Sequence, residues 1–261
     1  VGTIFDDQGN KLNGFNGYVI ANNADNERFF REASVFDGEF ELPVVAGTYS
    51  LVIYPSGSTY FFPNDIRVII GNDATFEIDI PSLTANGTIN GQLVDFRTQE
   101  LISGVQGSVT GYSEDFSGNA TTRISPSGSF ELDLPEGIWN LDWYLDYPSS
   151  SGYYQLSSLK TGVEASQSST ETVNLELIYS DANISGQVIG PDGGRISYAN
   201  MVLEGIGELE GFNVYVDADQ QGFFNQSIPY GTYLLNVSAY GIEEGIYPDR
   251  KSTRLNSSHD Q

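Results

Sequence analysis

The sequence predicts an all-β protein made of three tandem β-sandwiches, the third of them incomplete. Three observations lead to this prediction. Apolar and polar residues alternate along many short segments, as they do in strands that bury one face. Turn-forming residues interrupt the chain about every ten residues, and no long stretch has apolar residues at helical spacing. Finally, one sequence motif occurs three times.

The repeated motif is carried by GEFELPVVAGTYSL, GSFELDLPEGIWNL and GFFNQSIPYGTYLL, which begin at Gly38, Gly128 and Gly222. A Phe stands two residues after the first Gly, and a second Gly, an aromatic residue and a Leu follow. The Phe positions are Phe40, Phe130 and Phe224, and the aromatic positions are Tyr49, Trp139 and Tyr233. Because residues alternate on both sides of the second Gly, the motif predicts a hairpin of two half-buried strands. Its residues are interpreted as core and turn.

The domain boundaries follow from the same repeats. Opening strands align at Gly2, Gly91 and Gly186, which gives a unit of about 90–100 residues, close to an immunoglobulin-like sandwich. Polar linkers at residues 81–87 and 179–183 separate the units. We predict sandwiches over residues 1–82, 83–180 and 181–248. The third lacks counterparts of the strands that follow the motif in the first, so we expect it to expose an unpaired strand edge.

The last residues differ in character from the rest. The run DRKSTRLNSSH, residues 249–259, is basic and Ser-rich and resembles a translated sequencing adapter. A segment of such origin is foreign to the fold of a protein. We therefore expect residues 249–261 to be a non-native tail and the native part to be a fragment of a longer protein. Without the tail the chain also loses its single histidine, His259.

Composition excludes several functions. The chain has 35 acidic and 11 basic residues and a net charge of −24, which opposes binding to nucleic acid or to an anionic membrane. There is no apolar run of about 18 residues, so we expect no membrane insertion. Cysteine is absent, and the native part has no histidine, which excludes Ser-His-Asp, Cys-His and the usual zinc sites. We expect a protein that is not an enzyme.

Loop aromatics are the candidate ligand-binding residues. They lie in STYFFP, SGYYQL and EGIYP, each of which follows a motif, and they are Tyr60, Tyr153, Tyr154 and Tyr247. Tyrosines with one exposed face could stack on a glycan. The alternative is that they cap the open end of each sandwich.

Acidic loops are candidates for calcium, the one cofactor considered. The segment DADQQG supplies Asp217 and Asp219, but it lacks the distal bidentate Glu of a calcium loop. The alternative, which we favour, is a turn in which Asp and Gly make local backbone hydrogen bonds.

With its preceding strand Ile184-x-Gly186-x-Val188 and the turn PDGG, the motif resembles the carboxypeptidase regulatory-like domain. The resemblance implies a seven-stranded prealbumin-like (transthyretin-like) sandwich, similar to starch-binding-like and collagen-adhesin B-type modules. One departure is Gln226, which stands where the earlier copies have Leu42 and Leu132.

The resemblance also implies a non-catalytic role. We expect a structural or adhesive repeat region, a stalk or spacer, of a larger secreted or cell-surface protein. It would be monomeric within a longer chain, with an extracellular glycan or a surface protein as candidate partner. Two alternatives stay open: carbohydrate-binding accessory domains of an extracellular hydrolase, and the non-catalytic part of a secreted peptidase.

Overall fold

The structure, a computed structural model, describes residues 1–24, 26, 29–56, 60–64, 66–72, 75–146, 151–167 and 172–238, and the backbone of residues 253–256. These residues form β-strands joined by turns, with a short 3-10 helix at Gly207–Leu209. The all-β prediction is therefore confirmed. Within the described residues, no helix has the length and apolar character that crossing a membrane would require.

The first repeat folds into two sheets. Its strands are β1 (Gly2–Phe5), β2 (Gly17–Asn23), β3 (Phe30–Val35), β4 (Glu39–Phe40), β5 (Gly47–Pro55), β6 (Phe62–Pro63), β7 (Ile66–Ile70) and β8 (Ile78–Pro81). One sheet has the order β4-β1-β8 and the other the order β3-β2-β5-β7. Between them lies a core of buried apolar side chains that includes Ile4, Val19, Ile53 and Ile80.

The second repeat has a similar arrangement, with one more strand in the first of its two sheets. They are β9 (Gly87–Asp95), β10 (Gly107–Tyr112), β11 (Phe116–Ser117), β12 (Ala120–Arg123), β13 (Ser129–Leu134), β14 (Gly137–Leu145), β15 (Tyr153–Gln155), β16 (Leu159–Ala165) and β17 (Thr172–Tyr179). The sheet orders are β13-β9-β17-β15 and β12-β10-β14-β16. Trp139, Leu141, Trp143 and Leu145 are buried along β14, as the alternation predicts.

The third repeat contributes β18 (Ala182–Gln187), β19 (Asn200–Ile206), β20 (Asn213–Asp217), β21 (Phe223–Ile228), β22 (Thr232–Ser238) and β23 (Thr253–Asn256). Its sheets are β18-β21 and β20-β19-β22-β23. The expected open edge is therefore wrong for the larger sheet, because β23 pairs with β22 in the position that β7 and β16 hold. In the smaller sheet, the described residues provide β18 with one partner, β21.

The chain divides into two compact units. The first comprises Val1–Gln92, Ile102–Asp146 and Ser158–Leu175, and the second comprises Leu93–Leu101, Tyr147–Ser157 and Glu176–Gln261. The second repeat contributes to both units, since β9 and β17 run from one into the other. The division into three sandwiches at residues 82 and 180 stays a prediction, while the pattern of strand pairing recurs three times.

The hairpin prediction is wrong. The two strands on either side of the second motif Gly lie in different sheets: β13 pairs with β9, whereas β14 pairs with β10 and β16. The same separation holds for β4 and β5 and for β21 and β22. The turn PEG is thus a crossing from one sheet to the other. A period of two gives the burial of each strand but does not tell whether successive strands share a sheet.

A Gly–Phe pair holds the opening strand of each repeat. The opening Gly is the cross-strand neighbour of the motif Phe in the register pairs Gly2↔Phe40, Gly91↔Phe130 and Gly186↔Phe224. The ring lies over the Gly so closely that a Cβ atom there would be 2.1, 2.0 and 2.8 Å from Phe Cζ in the three repeats. The first motif Gly has a φ of 76°, 84° and 76°, the left-handed region that suits a tight turn before the Phe.

The motif aromatic is the buried centre of each core. Tyr49, Trp139 and Tyr233 are at most 1% exposed. Each donates its polar hydrogen to the carbonyl oxygen four residues earlier: Tyr49 Oη to Val45 at 3.0 Å, Trp139 Nε1 to Pro135 at 2.9 Å and Tyr233 Oη to Pro229 at 2.7 Å. A Tyr or Trp can therefore fill the core while its polar atom is satisfied by the crossing turn.

Substitution of Gly91 by Ala tests the Gly–Phe pair. The added Cβ would overlap the buried Phe130 ring, so we expect a loss of about 1–3 kcal/mol in the free energy of unfolding. Urea unfolding followed by tryptophan emission measures this, because both tryptophans of the chain, Trp139 and Trp143, lie in the second repeat.

Gly186→Ala is the matched control, followed by circular dichroism. Phe224 is half-buried and the clearance is larger, so its ring can shift and the loss should be smaller. Equal losses in the two variants, or none in Gly91→Ala, would contradict the assignment.

Candidate functional site

Three of the four loop tyrosines lie in the described residues, and all three are half-buried. Tyr60 packs edge-on against Phe15 with ring centroids 5.3 Å apart. Tyr153 packs against Tyr179 at 5.1 Å, and Tyr154 against Phe212 at 5.8 Å. Tyr247 lies outside the described residues. Each of the three described tyrosines thus packs against an aromatic ring of the protein, and glycan stacking stays a prediction.

Tyr154 uses both its ring and its hydroxyl inside the second compact unit. Its hydroxyl donates to the Ser227 carbonyl at 2.7 Å and accepts from Gln226 Nε2 at 2.7 Å. Its ring packs against the core of the third repeat. This explains the departure at Gln226: a Leu there could not bond the Tyr154 hydroxyl. The loop after the motif of the second repeat therefore contacts the third repeat.

The first repeat makes the analogous contact through Phe61, which the sequence reasoning missed. Phe61 is 2% exposed and packs edge-on against Trp139 at 5.5 Å, while Phe116 stacks on the same indole at 5.5 Å. Strand β6 pairs with β11, Phe62 opposite Ser117. The doubled Phe in STYFFP was the available signal, since one ring serves the first core and the other the second.

Arg97 is a second residue that sequence reasoning missed. Its guanidinium donates to Glu208 Oε1 from Nη2 at 2.7 Å and from Nε at 3.2 Å, and it also donates to the Tyr230 carbonyl. Asp181 lies 3.6 Å from Nη1 and accepts the Tyr230 amide hydrogen at 2.6 Å. Arg97 and Asp181 together hold both backbone groups of Tyr230. The turn before Arg97 is ordered by Asp95, which accepts the Arg97 and Thr98 amide hydrogens.

We name the contacts of Phe61, Arg97 and Tyr154 the junction contacts. They share one property: a loop of one repeat contacts the next repeat through its side chains. The guanidinium of Arg97 donates to a carboxylate and to a backbone carbonyl. Its planar set of N–H groups allows an arginine to hold two acceptors at once. The arrangement joins neighbouring repeats, and the Arg97 guanidinium and the Tyr154 hydroxyl both have partners within the protein.

The candidate calcium residues are used in the backbone and side-chain contacts of a turn. Asp219 Oδ1 accepts the amide hydrogens of Gln221 at 2.8 Å and Phe223 at 2.9 Å, and Asp217 Oδ1 accepts from Asn200 Nδ2 at 2.7 Å. In the second repeat Ser125 takes the equivalent place and its Oγ accepts the Ser129 amide hydrogen. Among the described residues no group of three or more potential metal-ligating side chains is found. Calcium binding stays a prediction.

Burial changes the acidity of two tyrosines in the second unit. Loss of hydration raises the pKa of Tyr233 well above its ordinary value, although the positive charge of Arg97 opposes this shift and Asp181 adds to it. Burial also raises the pKa of Tyr153, and the negative charge of Asp95 contributes. Both shifts favour the neutral phenol, and neither makes a phenolate available at neutral pH.

Comparison with known proteins gave a match in the solved structures alone. No protein-family model matches the sequence, and no curated protein matches it. The resemblance to the carboxypeptidase regulatory-like domain therefore stays a prediction.

The solved structures to which the chain is similar include three bacterial proteins. The Bacillus anthracis TIE protein is 14% identical, with 99% of this chain covered and a TM-score of 0.33, and the chain spans about half (48%) of that protein's length. The Streptococcal ancillary pilin is 13% identical, with 100% of this chain and 95% of that one covered and a TM-score of 0.37. The minor pilin GBS52 of Streptococcus agalactiae is 14% identical, covering 68% and 95%, with a TM-score of 0.38.

The raised pKa of Tyr233 predicts a loss of stability in alkaline solution. The folded state favours the neutral phenol, so the contribution of Tyr233 is complete below the unfolded pKa of 10.0 and falls as the pH rises above it. Urea midpoints measured by circular dichroism from about pH 8 to about pH 11 should decrease, and they should decrease less in Tyr233→Phe. Tyr215→Phe, at a 76% exposed position, is the control and should keep the wild-type slope. Identical slopes in all three proteins would contradict the burial assignment.

Proposed function

We propose that the chain is a non-catalytic structural repeat region, a spacer within a larger secreted or cell-surface protein. The observation that carries the proposal is the set of junction contacts. A loop of one repeat anchors on the next through Phe61 and through Arg97 and Tyr154. Side chains used in this way hold each repeat against the next one, and a spacer requires such contacts.

The use of the repeated motif supports the same proposal. In all three copies the Gly, Phe and aromatic residues are used for a turn, a cross-strand pair and a core hydrogen bond. A motif maintained by selection for chemistry would place polar atoms at an accessible surface. Here the repeated polar atoms are the Tyr and Trp donors, and each is bonded to its own backbone.

The charge of the chain fits an extracellular array. With 35 acidic residues against 11 basic ones, the surface repels other copies and stays hydrated. The scarce cations are placed in ion pairs that include Lys11 with Glu39, Arg97 with Glu208 and Arg123 with Asp146. The proposed partners are surface proteins or glycans met by other parts of the larger protein.

Force spectroscopy on the chain, held at its two ends, tests the spacer function. A repeat of about 90 residues that unfolds cooperatively should give a step of about 30 nm, and the steps should be discrete. Arg97→Met should lower the force of the step that involves the third repeat, because the Tyr230 carbonyl oxygen loses the hydrogen bond that Arg97 donates.

Arg195→Met is the matched control for that experiment. Arg195 lies over the Phe223 ring at 5.6 Å in the same unit and takes no part in the junction contacts, so wild-type forces are expected. Gradual extension of the wild-type chain without steps would refute the spacer proposal.

The carbohydrate-binding alternative is favoured by one observation, the pair formed by Tyr153 and Tyr179. The two rings meet edge-on at 5.1 Å, and Tyr179 is 49% exposed, so an aromatic surface is open beside β15. A glycan array separates the alternatives. The spacer proposal predicts no retention; retention that Tyr153→Ala abolishes, and that Tyr144→Ala at a 55% exposed position preserves, would establish carbohydrate binding instead.

A further inference from the structure

The three opening strands differ in how many neighbours they have. In the first repeat β1 lies between β4 and β8, and in the second β9 lies between β13 and β17. In the third, β18 pairs with β21, and the part of the chain described by the structure supplies no strand for its other edge. Two repeats of the same protein therefore show which position in the third is left without a strand by the described residues.

The side chains next to that edge are more exposed than their counterparts. Phe40 and Phe130 are 6% and 5% exposed, whereas Phe224 at the same motif position is only half-buried. Two residues after the opening Gly, Ile4 and Leu93 are fully buried, and Val188 is half-buried. The added exposure is found along the edge where β8 and β17 cover the other two repeats.

Hydrogen-bonding groups face the same edge. Val188 donates its amide hydrogen to the Gly222 carbonyl at 2.8 Å, as Ile4 does to Gly38 at 2.8 Å. Because backbone groups alternate in direction along a strand, those of Asn183, Ser185 and Gln187 point away from β21. In the first repeat this direction is taken by β8, which runs parallel to β1 with Ile78 opposite Gly2 and Ile80 opposite Ile4.

The sequence of β18 also lacks the usual protection of an edge. It reads ANISGQ, without a charge or a proline. In the first two repeats, the sheets that contain β2 and β10 have β3, β7, β12 and β16 at their edges, and each of these four strands contains an Arg or a Lys, namely Arg31, Arg67, Arg123 and Lys160. Charged residues on outer strands oppose the addition of another strand. The sequence of β18 supplies no such charge, so no charged side chain of β18 opposes the addition of a strand at its edge.

We propose that the free edge of β18 binds an extended peptide segment, which joins the sheet parallel to β18 and places apolar side chains at alternate positions over Phe224 and Val188. The template for the occupant is the protein itself: β8 places Ile78 and Ile80 inward, and β17 places Leu175 and Leu177 inward. Main-chain hydrogen bonds would supply affinity, and the alternating apolar residues would set the register.

A peptide with the β17 sequence TVNLELIY, carrying an amino-terminal fluorophore, is the probe. Titration with the full chain should raise its anisotropy to saturation, and a peptide of equal composition with its apolar residues in one block should not bind. Ser185→Pro removes an edge amide hydrogen and should weaken binding at least about tenfold. Ser185→Ala keeps that amide hydrogen and should bind as the wild type does.

Amide hydrogen exchange on the wild-type chain tests the same edge without relying on the proline variant, which could misfold. Saturating peptide should slow exchange at Asn183, Ser185 and Gln187 of the wild-type chain. A spin label at the peptide amino terminus should broaden the signal of Ala182 more than that of Gln187, as parallel addition requires. Absence of binding, equal binding by Ser185→Pro when that variant is folded, the reverse broadening pattern, or self-association of the free chain through β18 would each overturn the proposal.

Discussion

The contact between a motif Phe and the opening Gly is the constraint on which each sandwich depends. The ring needs the space that a Cβ atom would fill, so the opening strand must carry Gly where the Phe crosses it. The pair lies in one sheet, and a few residues later the chain crosses to the other sheet. A Gly inside a strand weakens it, because Gly has no side chain to pack. The motif Phe ring covers the opening Gly and so keeps the strand paired at this point. The motif Phe that covers the opening Gly therefore also sets where the chain crosses between the sheets.

The buried Tyr or Trp then makes the crossing possible. A connection that leaves one sheet must satisfy backbone carbonyls away from any ladder, and an unsatisfied buried carbonyl is costly. The donor four residues later reaches back to that carbonyl while its ring fills the centre of the core. One side chain thus supplies both packing and the missing hydrogen bond, which explains why Trp139 replaces Tyr at this position without a change in the turn. Phe could fill the core but could not donate.

Sequence alternation predicted the strands and the buried faces, because burial on one face leaves a period of two whatever the partner strand is. It could not predict the sheet crossing, since β13 and β14 have the same inward pattern that a hairpin would have. The loop tyrosines show a similar ambiguity. An amphipathic ring suits an exposed stacking platform and a half-buried junction equally well. Tyr154 contacts Phe212 and Ser227, which lie far along the chain and give no local signal. Arg97 gave no periodic signal because it acts through two carboxylates and a carbonyl from separate segments.

The junction contacts also restrict what the loops can bind. The hydroxyl of Tyr154 is bonded to Gln226 and Ser227, and its ring edge meets Phe212, so a sugar could use this tyrosine only by displacing contacts that the fold already makes. Displacement would expose apolar surface of the third core and leave polar groups in need of new partners. Tyr154 therefore cannot serve a tight junction and an open platform at the same time. Tyr153 is under less constraint, because its described aromatic partner, Tyr179, is itself 49% exposed. Of the two adjacent tyrosines in SGYYQL, Tyr154 therefore has a structural role, and Tyr153 is the one at which glycan binding stays a prediction.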